Sequence, residues 1–277
     1  AEPIAHCAGA TRRVAPLFFM ITSTQNEKVK LAYALQHQPK VRRSQRKLAL
    51  EGARLVRDAQ ERGRKPEFVL FDPAAADMKL IAALQRAIGE VKVLPVAPEV
   101  LKHVSTTDQP QGIVAVLPMP MPDLPRQPRR VLILDGVRDP GNMGTVLRTA
   151  AAAGAQVALL SPDCVDPYNP KVLRGGMGAH FRLPIVEASW AEIATYCETL
   201  TRYLAAGEAE TDYVSVDWTQ PWALIIGSEA HGASADARAL ATTPVSIPMA
   251  ADSESINAGV AAGVILFEAA RQRRVRG

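Results

Sequence analysis

Apolar positions along this chain fall into short runs separated by longer amphipathic stretches. Phe68–Phe71, Val91–Val96 and Gly112–Leu117 predict strands, as do Val131–Leu134, Val157–Leu160, Leu183–Val186, Leu204–Ala206, Ala223–Ile226 and Pro244–Pro248. Between them Lys28–Leu35, Leu48–Arg62, Met78–Ile88, Asn142–Ala153, Trp190–Leu200 and Asn257–Arg271 predict helices. The second of these sets Leu48, Leu55, Val56 and Ala59 on one face and stops at Gly63. In the later part of the chain, short apolar strands alternate with helices, which predicts a mainly parallel sheet covered on both faces. Ligands of such sheets bind beyond the carboxyl ends of the strands, so the loops there are where chemistry is expected.

The pattern is interrupted once. Leu117–Pro128 holds five prolines in twelve residues, a composition that forbids helix and favours an extended spacer. The predicted organisation is a disordered extension at 1–19, a small α/β domain at 20–117, a Pro-rich linker at 118–129 and a second α/β domain at 130–277. The extension has two arginines, one acid and an apolar stretch too brief for a signal-peptide core, with an organelle-targeting segment as the alternative. No run approaches the ~18 unbroken apolar residues of a membrane helix. The three scattered cysteines, Cys7, Cys164 and Cys197, exclude a disulfide framework or a clustered zinc site. A soluble cytoplasmic protein without a metal is the expectation.

Charge sharpens this picture. Glu27–Lys65 holds twelve Lys and Arg against four acids, a net +8 in a chain whose total is +4. A segment this basic on an otherwise mildly acidic protein predicts a polyanion partner, with a solvated helix face as the alternative. Arg42, Arg43, Arg46, Lys47 and Arg54 are its candidate contacts to such a polyanion.

Three loops carry the candidate chemistry. The first, Asp135–Arg148, has glycines at 136, 141 and 144, Pro140, and Asn142 placed to cap the following helix. Its glycines do not follow G-x-G-x-x-G, and no G-x-x-x-x-G-K-[ST] occurs in the chain, which argues against dinucleotide and P-loop sites. The second, Ile225–Gly232, ends a strand directly in Gly-x-Glu-x-x-Gly, bringing backbone and the Glu229 carboxylate close to a ligand. His231 beside it reads as a solvated loop residue. The third, Val245–Asn257, runs into the last helix, for which Ser253, Ser255 and Asn257 are candidate caps. Strand, proline, polar loop and capped helix together form a backbone-lined pocket suited to an adenosine derivative rather than a metal.

Together these loops resemble the three motifs of the SpoU/TrmH family of RNA ribose 2′-O-methyltransferases, within the SPOUT class. Asn142 and Arg148, six residues apart, match the first motif; Gly227, Glu229 and Gly232 match the second. Ile247-Pro-Met249 and Ser255-Ile-Asn257 match the third, where leucine is more usual in the middle. Tyr168–Ala179 resembles the family's Arg-x-x-x-Gly-Ala element, with Gly175 where serine is common after the arginine. Leu50-Glu-Gly52 followed by Arg54 is similar to the ribosomal-protein-like substrate-binding domain that precedes this catalytic fold in many members.

The resemblance implies S-adenosylmethionine as cofactor, a C-terminal domain with a deep trefoil knot, and a homodimer formed through that domain. It implies that Gly227, Ile247, Met249 and Ile256 hold the cofactor. It places Arg148 at the ribose 2′-hydroxyl, supported by Asn142, Glu229, Ser255 and Asn257. A guanidinium stays protonated in proteins, so Arg148 is expected to clamp the adjacent phosphate and the forming alkoxide rather than remove the proton. Large-subunit ribosomal RNA is the expected substrate. A tRNA ribose methyltransferase and a non-catalytic RNA-binding or ribosome-assembly factor are the alternatives.

Overall fold

The computed structural model describes residues 20–229, 231–250 and 256–276. The predicted extension at 1–19, and Ser253 and Ser255 of the third loop, lie outside the described residues.

The first half of the chain runs α1 (Glu27–His37), α2 (Pro39–Gln45), β1 (Lys47–Glu51), α3 (Ala53–Glu61), β2 (Phe68–Phe71), α4 (Met78–Ile88), β3 (Val93–Pro95), α5 (Pro98–Val104) and β4 (Ile113–Pro118). Its four strands form a mixed sheet in the order β1-β4-β2-β3, with only the β2–β3 pair parallel. Alternate strand residues face opposite layers. Leu48, Leu50, Val69, Phe71, Ile113 and Ala115 pack with α3 and α4 on one side. Ala49, Phe68, Leu70, Val114 and Val116 pack with α1 and α5 on the other.

The first turn of the helix expected over Leu48–Arg62 is instead β1, paired antiparallel with β4. Leu48, Ala49 and Leu50 are all buried, so the segment fills both layers, as a strand in a covered sheet must. Gly52 at φ +102° then turns the chain, and the Gln111 side chain occupies the place where its Cβ would stand. The helix begins only at Ala53.

After residue 118 no helix or strand occurs until Arg130. The second half then runs β5 (Arg130–Leu134), α6 (Pro140–Ala153), β6 (Val157–Leu160), α7 (Pro170–Gly176), β7 (Ile185–Glu187), α8 (Trp190–Tyr196), β8 (Thr201–Ala205), β9 (Trp222–Ile226), α9 (Ala235–Leu240), β10 (Thr243–Val245) and α10 (Ala258–Arg276). All strand pairs are parallel, in the order β10-β8-β9-β5-β6-β7. Leu132, Leu134, Leu224 and Ile226 face α6 and α10, while Val131, Ile133, Ala223 and Ile225 face α8 and α9. This is the covered parallel sheet that the apolar runs predict.

Asp139, not Asn142, caps α6, accepting the Asn142 N–H at 2.8 Å, because Pro140 occupies the first turn. Asn257 does cap α10, its Oδ1 accepting the N–H groups of Gly259 (2.8 Å) and Val260 (3.3 Å). Among the described residues no helix is long and apolar enough to cross a membrane.

The two halves meet over named contacts. Leu173 of α7 packs into the core beneath the first sheet. Arg174 reaches Thr106 Oγ1 at 2.7 Å and the buried Glu51 carboxylate at 3.6 Å. Arg42 joins Asp166 through Nε (2.9 Å) and Nη2 (2.6 Å).

Candidate active site

The carboxyl ends of β8, β9 and β10 open on a pocket of about 370 Å³. Its walls are the loop after β8, the turn after β9, the Val245–Met249 segment and the start of α10. Gly227, Ile247, Met249 and Ile256 line it together, with Glu229 at one side. Gly227 has a steric reason to be glycine: a Cβ there would stand 2.6 Å from the Gly232 carbonyl carbon and 2.8 Å from the Ala233 nitrogen. The turn closes by paired 3.0 Å backbone bonds between Ser228 and Gly232, the latter at φ +64°. Asp135, at the end of β5, anchors the turn's exit by accepting the Ser234 N–H on Oδ2 at 2.6 Å. None of the three motif matches contains Asp135, although a carboxylate at a strand's carboxyl end facing a glycine turn is a usable signal.

At the rim three polar side chains form a chain of hydrogen bonds across three elements. Asn257 Nδ2 donates to Asn142 Oδ1 at 3.0 Å, and Asn142 Nδ2 donates to Glu229 Oε1 at 2.6 Å. The amide of Asn142 is thereby oriented without a flip ambiguity, since only its NH₂ can face a carboxylate. One end of the chain is fixed by the α10 cap and the other by the Gly227–Gly232 turn.

Arg148 stands apart from this group. Six residues along α6 from Asn142 turn a side chain roughly 120° round the helix axis, and Arg148 is exposed in a separate cleft with Arg54, Leu55, Asp58, Met177 and Arg182. Among the described residues of one chain, Asn142, Glu229 and Asn257 make no hydrogen bond to Arg148. His231 is exposed, as expected of a loop residue.

The candidate RNA contacts divide. Arg42 is a correction: its side chain is only 2% exposed, paired with Asp166 and donating to the carbonyls of Leu35 (2.8 Å) and Gln36 (3.4 Å). It closes a junction inside the protein, where four of its five N–H donors are spent on Asp166, Leu35 and Gln36. Arg43 is exposed and pairs with Glu187 at 3.0 Å, Lys47 is partly exposed and pairs with Glu67 at 2.7 Å, and Arg46 and Arg54 face solvent. Exposed pairs of this kind are weak, so a phosphate can displace the carboxylate from Arg43 or Lys47.

Comparison with known proteins matches residues 129–267 to the SpoU rRNA Methylase family. The chain belongs to that family. Residues 26–115 match the MRM3-like substrate binding domain. An uncharacterized tRNA/rRNA methyltransferase of Synechocystis sp. is 38% identical over 258 residues, covering 91% of this chain and 94% of that protein. A 23S rRNA guanosine 2′-O-methyltransferase of Bacillus subtilis is 31% identical, over 89% of this chain and 97% of its own length. Among solved structures, the SpoU methyltransferase AviRb of Streptomyces viridochromogenes in complex with AdoMet superposes with a TM-score of 0.80 at 30% identity, covering 91% of this chain and all of that one.

The pocket suits an adenosyl sulfonium. Ile226, Ile247, Ile256 and Ile265 offer apolar surface for a purine, and the backbone between Ala205 and Gly207 and at Ser246 offers polar groups. Among its described lining residues there is no Lys or Arg and one acid, Glu229. That lining disfavours a phosphorylated nucleotide and tolerates a ligand carrying positive charge.

Proposed function

We propose that this protein transfers a methyl group from S-adenosylmethionine to a ribose 2′-hydroxyl of RNA, with large-subunit ribosomal RNA as the substrate. The observation that carries the reading is the pocket at the ends of β8–β10, cation-tolerant and apolar, with the Asn257–Asn142–Glu229 chain at its rim. In this reading Gly227, Ile247, Met249 and Ile256 hold the cofactor. Arg148, Asn142, Glu229, Ser255 and Asn257 serve the reaction, and Arg43, Arg46, Lys47 and Arg54 contact RNA. Residues 20–117 form the substrate-binding domain, 118–129 the linker and 130–277 the catalytic domain. Family membership supports the deep trefoil knot expected from the sequence. Exposed Val260 and Phe267 on α10 support a homodimer formed through the catalytic domain, and the cytoplasm is the proposed compartment.

When bound, S-adenosylmethionine supplies an activated methyl on a sulfonium. The chain's part is alignment of the acceptor oxygen and management of its proton. The isoleucine walls hold the donor's purine, and Glu229, fixed by Asn142, offsets positive charge beside the pocket. Arg148 keeps its proton and acts on the adjacent phosphate and the developing alkoxide as an electrostatic clamp. The hydroxyl proton leaves to a phosphate oxygen or to water.

The test is transfer of labelled methyl from S-adenosylmethionine to total RNA, fractionated by size and digested to nucleosides. Label in a 2′-O-methylated nucleoside of large ribosomal RNA, lost in Arg148→Ala, is the expected result. Label in the tRNA fraction replaces the substrate, and label on a base discards the mechanism. Cofactor binding with no transfer to naked RNA or to ribosomal particles leaves the non-catalytic role.

A further inference from the structure

The cleft that holds Arg148 lies where the two halves of the chain meet. It measures about 180 Å³ and is lined by Arg54, Leu55 and Asp58 of α3, Arg148 of α6, Met177 and Arg182. Three guanidinium groups thus face one small space. The carboxylate among them, Asp58, is itself engaged by the Nε of Arg62 at 3.3 Å. Arg182 donates to the Met177 carbonyl at 2.8 Å, and among the described residues no ion pair holds Arg54, Arg148 or Arg182. Three cations against one carboxylate leave the cleft with net positive charge, which a bound anion offsets.

The backbone of the cleft supports the same conclusion independently. Met177 (φ +45°) and Gly178 (φ +79°) are consecutive left-handed residues, a conformation that a methionine rarely adopts. A Cβ at Gly178 would overlap the Asp58 carboxylate, so α3 of the first half docks directly on this turn. Strain of this kind persists where surrounding structure fixes it, and it gathers at binding sites. The Arg182 guanidinium is tethered to the carbonyl of the strained residue, which sets it in the cleft wall.

We propose that this cleft holds one phosphodiester of the RNA, gripped by Arg54 from the first half and by Arg148 and Arg182 from the second. Arg182 is a phosphate-binding residue that no motif marks. The proposal rests on the RNA methyltransferase reading above. A tetrahedral anion accepts the forked N–H donors of several guanidinium groups at once, and lysine in their place would offer only point charges. A single phosphate held from both halves registers the RNA on the catalytic half through α3 rather than only adding affinity. It also accounts for the distance of Arg148 from Asn142: the two act on different parts of the substrate.

The experiment measures binding of an unmodified large-subunit rRNA transcript to the full chain over a range of KCl, for wild type, Arg54→Gln, Arg182→Gln, Arg182→Lys and the Arg54→Gln/Arg182→Gln pair. Cofactor affinity and thermal midpoint serve as folding controls. Each glutamine variant is expected to weaken binding about tenfold and to lower the salt slope by about 0.7–0.9, with Arg182→Lys recovering part of the loss. Because both arginines hold one phosphate, the double variant loses much less than the product of the single losses, and its slope falls once, not twice. Cofactor affinity stays at the wild-type value throughout. Wild-type affinity and slope in Arg182→Gln, or fully multiplicative losses, overturn the shared phosphate while leaving the methyltransferase reading intact. A wild-type protein that binds neither the transcript nor ribosomal particles overturns both.

Discussion

Arg42→Met removes a guanidinium that the charge pattern assigns to RNA and the structure assigns to the protein's interior. The Asp166 carboxylate is 11% exposed and takes two of the guanidinium's N–H donors on one oxygen, Oδ2. Its other oxygen accepts the Tyr168 N–H at 2.9 Å, which remains after the substitution. The Leu35 carbonyl also loses its 2.8 Å donor. Breaking a buried pair from one side costs about 3–5 kcal/mol, chiefly because the surviving charge is left without a partner. At roughly 2–4 °C per kcal/mol for a chain of this size, the thermal midpoint falls by about 10 °C. Urea unfolding followed by tryptophan fluorescence measures the loss, since Trp190, Trp218 and Trp222 all lie in the second half. The double variant Arg42→Met/Asp166→Leu removes both charges and is expected to recover most of it. A single variant within about 1 kcal/mol of wild type, or a double variant no better than the single, refutes the buried-pair account. A stable Arg42→Met that binds RNA with a shallower salt slope restores the reading that the charge pattern suggests.

Acid stability should depend on His180, which is buried with Nε2 donating to the Pro167 carbonyl at 2.7 Å and with Nδ1 unpartnered. Burial pushes its pKa down to about 4, so between that value and the ordinary ~6.5 the unfolded chain binds a proton that the folded one refuses. Stability therefore falls as pH drops from 7 to 5, by about 2 kcal/mol. Urea midpoints at the two pH values show this, and a slope unchanged by His180→Gln contradicts it. Gly227→Ala drives a methyl into the Gly232–Ala233 backbone; calorimetry should show cofactor affinity reduced at least tenfold, and unaltered affinity would mean that the turn yields easily. Asn142→Ala cuts the chain between Asn257 and Glu229. Displacing a positioned group by about 1 Å can cost about 10²-fold, so single-turnover methyl transfer should fall by about that factor with cofactor binding retained.

Much of the fold was legible because burial leaves its mark on composition. Val131–Leu134 and Ala223–Ile226 are apolar on both faces, as central strands of a covered parallel sheet must be, and they stand in the middle of that sheet. Lys47–Glu51 carries the same signature but is too short to outweigh the helical period of the residues after it. The short helices at Pro39, Pro98 and Pro170 are too brief to sustain an apolar period, and the local start signal they share is the proline in each first turn. The pocket residues were legible because they sit in glycine- and proline-shaped loops directly after strands. Arg42 was not: nothing local distinguishes a cation that meets phosphate from one that meets Asp166, 124 positions later. The cleft of Arg54, Arg148 and Arg182 has the same origin, since its members are scattered along the chain and converge only when α3 docks on the Met177–Gly178 turn.

The pocket at the carboxyl ends of β8, β9 and β10 has a temporal consequence. Every described residue lining it lies between Ala205 and Ile265, whereas the first sheet is complete once Pro118 has been made. Domains fold in the order in which ribosomes release them. A nascent chain therefore displays its basic surface well before it owns a place for a methyl donor, and α10 must emerge before that place is closed. Chains that stop short of α10 would hold every residue of the first sheet yet lack Ala258, Ala261 and Ile265 of the pocket wall.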